Sequence, residues 1–222
     1  MHPNRLLPPY LPALLWLTAA IAWVVLVNEG CLVVFDNGGL ALFRSDQNPD
    51  RLIGPAMLTT ATKGITHAGS GPFVLLLGAS LVALTWRRAG RAGALKLGAV
   101  IAIYLLLIPL LKELIGRPRP DWPVSLVETA SLSFPSGHAA RAVLIYVLAA
   151  LVLPMLTSAS RALTLAVCAA LALAVGVSRV ALGVHWPSDV IGSWLLAGFW
   201  LSATWPLLRA ELSPDPPRSG GS

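Results

Sequence analysis

Six long apolar segments constrain the fold of this chain more than any other feature. They lie near residues 11–27, 73–86, 97–111, 139–155, 162–177 and 190–208. A helix that crosses the hydrocarbon core of a bilayer needs about 20 predominantly apolar residues. Each segment approaches that length, although the second is the shortest. The pattern therefore predicts an all-α, polytopic membrane protein built as a bundle of six transmembrane helices.

The composition of the chain agrees with a membrane location. Hydrophobic residues make up 56% of the 222 residues and charged residues 12%, whereas charged residues are about 25% of an ordinary soluble domain. No break in composition divides the chain, so we expect residues 1–222 to form one integral membrane domain. The first segment is followed by no clear cleavage site, which favours a retained anchor over a signal peptide.

Two stretches outside the apolar segments lead to different predictions about local structure. Residues 212–222 are rich in Pro, Gly and Ser and are expected to form a disordered tail. The loop at 28–71 is long enough for one short helix along the membrane surface, but its amphipathic pattern is weak. The sequence leaves the role of that loop open.

The net charge of +6 is distributed in a way that indicates topology rather than binding to nucleic acid. Arg87, Arg88, Arg91 and Lys96 cluster between the second and third segments, and short basic loops tend to stay in the cytoplasm. This orientation places both termini in the cytoplasm and the loops near 28–71, 112–137 and 178–189 outside. Those loops hold eight acidic and seven basic residues, so the positive-inside bias is weak over the whole chain. The predicted orientation therefore rests on the basic cluster at 87–96 alone.

Three polar clusters fall on the outer side under this topology. They are Lys112–Pro120, Ser133–Arg141 and Ser178–Val190. Polar groups at the edge of apolar segments cost free energy unless something binds them, and the sum of the three clusters is strongly cationic. An anion with several oxygens, such as phosphate, is the natural complement.

The stretch "FPSGH" has the features of an anion site at the start of a helix. Ser136 is expected to cap the helix that follows, and Gly137 lets the backbone approach a ligand closely. A helix N-terminus offers free N–H groups and the positive end of a dipole. The alternative is a capped transmembrane helix with nothing bound, which this motif alone does not exclude.

The stretch "HWPSD" places a carboxylate four residues after a histidine. Pro187 suits the first turn of the sixth apolar helix, and Asp189 is expected to reach back to His185. A carboxylate that accepts from one ring nitrogen leaves the other nitrogen free for chemistry. The alternative is that Asp189 only favours the helix dipole. For Lys112 and the arginines of "GRPRP" the alternative is an interfacial anchor.

Taken together, the three clusters resemble the type 2 phosphatidic acid phosphatase family, which shares its site with the vanadium haloperoxidases. The family pattern is Lys, six residues, Arg-Pro; then Pro-Ser-Gly-His; then Ser-Arg, five residues, His, three residues, Asp. Here it reads Lys112 to Arg119-Pro120, then Pro135-Ser136-Gly137-His138, then Ser178-Arg179 to His185 and Asp189. Every position matches in order, and three matches in order are far more specific than any one motif.

This resemblance implies roles for the matched residues. His185 would attack phosphorus and form a phosphohistidine, Asp189 would hold its ring in position, and His138 would protonate the leaving oxygen and then activate water. The phosphoryl oxygens would be held by Lys112, Arg119, Ser136, Gly137 and Arg179. The family needs no metal and no other cofactor, because the cationic cradle stabilises the charge.

Two arginines lie outside the family pattern. Arg117 also precedes a proline and is interpreted as a secondary contact to the headgroup. Arg141 shares a helix face with His138. For Arg141, a contact to a distal phosphate and a pair with an acidic residue both stay open, and the pair is favoured.

A site level with the outer headgroups predicts an integral membrane lipid phosphatase in a bacterial inner membrane. The resemblance covers phosphatidic acid, phosphatidylglycerol phosphate and undecaprenyl diphosphate as substrates, and no residue selects among them. A lipid phosphotransferase that uses the same residues is an alternative. A membrane transporter is a third interpretation, disfavoured because the charges gather at one face and not in the cores of the segments. Membrane lipids are the expected partners, and the sequence predicts no oligomeric state.

Overall fold

The computed structural model describes residues 10–44, 47–48 and 51–212. These residues are all-helical, with seven α-helices: α1 Leu11–Asn28, α2 Val33–Ala41, α3 Ala56–Thr66, α4 Gly71–Ile115, α5 Gly137–Leu156, α6 Arg161–Ala181 and α7 Pro187–Leu212. A 3₁₀ turn, His67–Gly69, follows α3. The predicted disordered tail lies outside the described residues apart from Leu212, which ends α7.

Five of these helices, α1 and α4–α7, are long and apolar enough to cross a membrane. The predicted second and third segments both lie in α4, which has 45 residues and is interrupted at Gly90. A straight helix of that length would measure about 68 Å, more than twice the hydrocarbon thickness of about 30 Å. The interruption therefore decides how α4 fits a bilayer.

Contacts within α4 show that its two halves lie side by side. A Cβ built on Gly78 would lie 3.6 Å from Cδ1 of Ile101, and one on Gly98 would lie 3.8 Å from Cγ2 of Val82. The paired positions are nearly symmetric about Gly90, as in an antiparallel hairpin. The backbone of Gly90 has φ +83° and ψ −179°, a combination that is essentially restricted to glycine.

Helix α5 is the centre of the bundle. In its most apolar stretch 61% of the residues are buried, against 17% to 39% in the other four long helices, and it contacts α4, α6 and α7. Small residues at interfaces let membrane helices approach closely, and α5 buries Ala139, Ala140, Ala142, Ala149 and Ala150. The N-terminus of α5, which carries the "SGH" motif, is therefore held between the other helices.

The alternating direction of the helices brings the three polar clusters to one end of the bundle. Trp23 of α1 donates from Nε1 to the carbonyl of Ser188 at 2.9 Å, which ties the end of α1 to the start of α7. At the opposite end, Lys96 and Glu211 form an ion pair at 2.5 Å. The cationic cluster at 87–96 therefore lies far from the site, as the sequence predicted.

The segment between α1 and α4 is more ordered than the sequence predicted. It holds two helices and a 3₁₀ turn, where at most one short surface helix was expected. Helix α2 packs on α7, and α3 packs on α6. A Cβ on Gly39 would lie 2.4 Å from Cγ of Pro187, so only glycine lets α2 approach the start of α7 this closely.

Candidate active site

The turn between α6 and α7 fixes the predicted nucleophile. Gly183, at φ +71°, reverses the chain after α6, and His185 stands just before Pro187, the first residue of α7. Nδ1 of His185 lies 3.4 Å from Oδ2 of Asp189, and Nε2 lies 3.3 Å from Nη1 of Arg119. Because a carboxylate only accepts hydrogen bonds, Nδ1 carries the proton and Nε2 keeps its lone pair.

Burial keeps this imidazole neutral. The side chain of His185 is almost inaccessible, with 2% exposure. Desolvation lowers the pKa of His185 to about 3, and the hydrogen bond and charge of Asp189 only partly oppose that shift. An unperturbed histidine has a pKa of about 6.5. At neutral pH the ring is therefore in the form that a nucleophile requires.

Asp189 is held by more groups than the sequence indicated. Oδ2 accepts hydrogen bonds from Oγ of Ser133 at 2.5 Å and from the backbone amide of Trp186 at 2.9 Å. Oδ1 accepts from Nη1 of Arg117 at 2.5 Å. The carboxylate is fully buried, so these donors fix its orientation. Sequence reasoning missed Ser133, whose only signal was its position just before "FPSGH".

Lys112 and Arg119 join the first motif to the other two. Nζ of Lys112 donates to the carbonyls of Leu132 at 2.5 Å and Ser133 at 3.2 Å. Arg119 donates from Nε to the carbonyl of Ser131 at 2.6 Å, and from Nη1 to the carbonyl of Val184. Both cationic side chains therefore bind backbone carbonyls near the other two motifs, and these bonds fix the path of the chain around the site.

The start of α5 matches the prediction in position but not in every bond. Ser136 is the N-cap residue, yet its hydroxyl makes no cap hydrogen bond. The Oγ atom is buried and has no hydrogen-bond partner among the described residues. The prediction that this hydroxyl caps the helix through a hydrogen bond was therefore wrong. The extended backbone of Ser136 begins the helix without it. A Cβ on Gly137 would lie 3.3 Å from Nη1 of Arg141, which places that guanidinium beside the helix N-terminus.

Arg179 and Arg141 are both bound by residues that precede α4 in the chain. Nη1 of Arg179 donates to Oγ1 of Thr66 at 2.7 Å, and its Nε is buried without a partner among the described residues. Nε of Arg141 donates to the carbonyl of Gly69 at 3.2 Å. Both partners belong to the segment between α1 and α4, which the sequence did not connect to the site.

The geometry of Arg141 also assigns the tautomer of His138. Nη2 of Arg141 lies 3.4 Å from Nδ1 of His138. A guanidinium only donates, so Nδ1 accepts and the proton of the neutral ring is on Nε2. The described partners of Arg141 are thus a carbonyl and an imidazole, and not the acidic residue that the sequence analysis favoured.

Arg117 is paired with two carboxylates of the protein, whereas the sequence analysis interpreted it as a contact to the lipid headgroup. Its Nη2 forms an ion pair with Oδ2 of Asp36 at 2.7 Å, in addition to the bond with Asp189. The guanidinium lies 5.4 Å from the ring centroid of Trp186, and the side chain is 14% exposed. Asp36 was missed, since its only signal was a lone carboxylate in the apolar stretch "VVFDNGG".

The structure therefore brings all the predicted site residues to one end of the bundle. Lys112 interacts electrostatically with Arg119, Arg141, Arg179 and Asp189. His138 does so with Arg179, Arg141 and His185. Within the residues described, no group of three or more His, Cys, Asp or Glu side chains has an arrangement suited to a metal ion. The groups that surround the space between the two histidines are mainly cationic.

Known proteins share both the sequence and the fold. Residues 93–212 match the model of the PAP2 superfamily. Phosphatidylglycerophosphatase B of Bacillus subtilis is 37% identical over 155 residues, which cover 65% of this chain and 72% of that protein. The decaprenylphosphoryl-5-phosphoribose phosphatase of Mycobacterium tuberculosis is 37% identical over 147 residues, 61% of this chain and 72% of that protein.

The fold has a counterpart among solved structures. It is the crystal structure of a transmembrane PAP2-type phosphatidylglycerolphosphate phosphatase from Bacillus subtilis. The two superpose with a TM-score of 0.75 at 29% identity, covering 89% of this chain and 96% of that one. With the family match over more than half of its length and the matching motifs at one site, this chain belongs to the PAP2 superfamily and is a membrane-embedded phosphatase.

Proposed function

We propose that this protein hydrolyses the phosphomonoester or diphosphate of a membrane lipid through a phosphohistidine on His185. The observation that carries the proposal is the buried, neutral ring of His185, with Nδ1 on Asp189 and Nε2 facing Arg119. The names of its relatives, a phosphatidylglycerophosphatase and a decaprenylphosphoryl-5-phosphoribose phosphatase, support a lipid substrate.

The phosphoryl group would be bound by cations and by two unpartnered donors. Lys112, Arg119 and Arg179 supply positive charge, and the N-terminus of α5 at Gly137 supplies backbone N–H groups. Buried polar atoms almost always have hydrogen-bond partners. Oγ of Ser136 and Nε of Arg179 have none among the described residues, and phosphoryl oxygens would satisfy both.

In the first half-reaction, Nε2 of His185 forms a bond to phosphorus while the bond from phosphorus to the ester oxygen breaks. His138 gives a proton to the departing oxygen, so the lipid leaves as an alcohol, or as a monophosphate if the substrate is a diphosphate. Burial, and then the charges of Arg179 and Arg141, disfavour a charged His138. The negative charge of the bound phosphate offsets these effects, so substrate binding favours the protonated acid.

In the second half-reaction, His138 has given up its Nε2 proton and takes a proton from water at Nε2 as the water oxygen attacks phosphorus. Its remaining proton is then on Nδ1, so the contact of Nδ1 with Arg141 has to open during turnover. The bond from phosphorus to Nε2 breaks, inorganic phosphate leaves, and His185 returns to its neutral form. Cationic side chains offset the charge on the phosphoryl oxygens throughout, as positioning and charge stabilisation account for most of phosphoryl transfer. The proposed reaction uses no metal ion.

The proposed setting is a bacterial inner membrane crossed six times, with the two halves of α4 as separate spans and both termini in the cytoplasm. The antiparallel contacts around Gly90 support two crossings by α4. The basic cluster at 87–96 supports a cytoplasmic location for the end opposite the site. The site would then open at the outer face, level with the lipid headgroups.

The test is release of inorganic phosphate from a panel of lipid phosphates and diphosphates at a fixed detergent-to-lipid ratio. Replacing His185 with Gln removes the nucleophile and should lower kcat by about three orders of magnitude or more. Glu128→Gln, an exposed carboxylate of the same loop region, should leave kcat unchanged. Activity should persist in EDTA. Turnover that survives His185→Gln contradicts the nucleophile, and loss of turnover in EDTA contradicts metal-independence.

The same assay separates hydrolysis from phosphoryl transfer. With a labelled donor, a hydrolase releases all of the label as inorganic phosphate. Label recovered in a second lipid would instead identify a phosphotransferase that uses the same residues.

A further inference from the structure

We propose that Asp36 is a positioning residue of this site, which acts through Arg117 to keep a net negative charge behind the nucleophilic ring of His185. The inference deepens the proposed function and rests on it, because it concerns the step that forms the phosphohistidine. No motif of the sequence includes Asp36, which reaches the site only because α2 packs on α7.

Asp36 is buried and its hydrogen bonds are directed at the start of α7. The side chain is 1% exposed. Oδ1 accepts from the amide of Ser188 at 2.9 Å, and Oδ2 accepts from Oγ of the same serine at 2.7 Å. The ion pair with Arg117 supplies a further contact to Oδ2, at 2.7 Å. Burying a carboxylate is strongly unfavourable unless it is paired and hydrogen-bonded, and here both conditions are met.

Arg117 is shared between two carboxylates. Nη2 binds Asp36, while Nη1 binds Oδ1 of Asp189 at 2.5 Å and Oγ of Ser188 at 2.8 Å. The order of contacts is therefore Asp36, Arg117, Asp189 and then Nδ1 of His185. Two negative charges and one positive charge leave this chain of ionised groups with a net charge of −1 next to the imidazole.

That net charge matters when phosphorus is attacked. His185 begins neutral and becomes cationic once Nε2 is bonded to phosphorus. A negative charge behind Nδ1 stabilises the cation, and the effect is strong where water is excluded. Without Asp36, the charge of Arg117 would cancel that of Asp189, and the group behind the ring would be neutral as a whole.

The experiment is a charge-balanced double-mutant cycle. The variants are Asp36→Asn, Arg117→Gln and the double variant Asp36→Asn/Arg117→Gln, with Glu128→Gln as the matched carboxylate control. Single-turnover labelling from a ³²P-labelled lipid phosphate measures the rate of phosphohistidine formation, and steady-state assays give kcat and KM. The thermal midpoint of each purified protein reports folding.

We expect Asp36→Asn to slow phosphohistidine formation by about 10- to 100-fold, by analogy with the loss of a group that orients a metal-ligating histidine. KM should change far less, because Asp36 does not touch substrate. The double variant restores the net charge of −1 and should form phosphohistidine faster than Asp36→Asn, whose net charge is zero. A purely structural role would make the two losses add and would move KM and the thermal midpoint with them.

Each outcome separates this inference from the proposed function. A wild-type rate in Asp36→Asn, or a double variant no faster than Asp36→Asn, overturns the role of Asp36 and leaves the phosphohistidine in place. Absence of label on wild-type His185, with turnover kept in His185→Gln, overturns the proposed function and this inference with it. If Asp36→Asn does not fold, Arg117→Gln is compared with the double variant. With a net charge of −2 against −1, Arg117→Gln should form phosphohistidine at least as fast, and a slower rate overturns the inference.

Discussion

At the scale of residues, the neighbours of His185 give its two ring nitrogens different roles: Nδ1 donates a hydrogen bond, and Nε2 keeps the lone pair for attack on phosphorus. Asp189 accepts from Nδ1 and fixes the tautomer, while Arg119 lies beside Nε2, where a phosphoryl group would bind. Burial removes water from both sides of the ring. A solvated histidine with the same two neighbours would be partly protonated near neutral pH.

We predict that His185 does not titrate between pH 5 and pH 8. Burial lowers the pKa of His185 to about 3, so the folded protein takes up this proton only near that pH. The unfolded chain binds it with a pKa of about 6.5. The stability contributed by this group is therefore complete above pH 6.5 and is lost as the pH falls towards 3.

The measurement is NMR of the protein labelled with ¹³C-histidine in detergent. The resonance of His185 is identified by its disappearance in His185→Gln. Its chemical shift should stay constant over that pH range. A titration midpoint near 6.5 would show that the ring is solvated, in conflict with the buried geometry.

At the scale of elements, the site is an assembly of helix ends. Helices α4 and α6 contribute their C-terminal ends, with Lys112 and Arg179, and α5 and α7 contribute their N-terminal ends, with Gly137 and Asp189. Positive dipole ends at α5 and α7 favour an anion. The short helices α2 and α3 lie against these ends and provide bonds to Ser188 and Arg179.

The hairpin of α4 leads to a prediction about Gly90. Its positive φ would strain any residue with a Cβ, by about 1–3 kcal/mol, so Gly90→Ala should lower the thermal midpoint in detergent. Gly98→Ala is the matched control, because the nearest atom to its new Cβ lies at an ordinary 3.8 Å. Equal midpoints for the two variants would mean that α4 does not need the reversal at residue 90.

At the scale of the whole molecule, the bundle has two chemically different ends. The end near Asn28, Lys112 and Pro187 carries the buried polar site. The other end carries the basic cluster at 87–96 and the ion pair of Lys96 with Glu211. Such a polarity fits a protein that meets lipid phosphate at one face and is oriented by its charges at the other.

Native Cys31 offers a test of this orientation. It is a free, exposed cysteine in the turn after α1, at the same end as the site, whereas Cys168 is buried. In intact bacterial spheroplasts, a membrane-impermeant maleimide should label Cys31 from outside. A variant with Cys31→Ser and Arg88→Cys should be labelled only after the membrane is permeabilised. The reverse pattern would place the site in the cytoplasm.

Local features of the amino-acid sequence were enough to predict the apolar helices, the polar end of the bundle and the residues that match the family motifs. These features are local, because hydrophobic runs predict helices and motif spacings are read along the chain. Lys112, Arg119, His138, His185 and Asp189 could all be chosen in this way. The start of α7 at Pro187 was likewise predicted from the fixed geometry of proline.

Tertiary structure decided the contacts that join distant parts of the chain. Asp36 meets Ser188 across 152 positions, and Thr66 meets Arg179 across 113. Neither pair has a spacing rule, since packing of α2 on α7 and of α3 on α6 creates them. A helix needs only neighbouring residues to form, whereas a buried ion pair needs two segments folded against each other, and that information appears only in three dimensions.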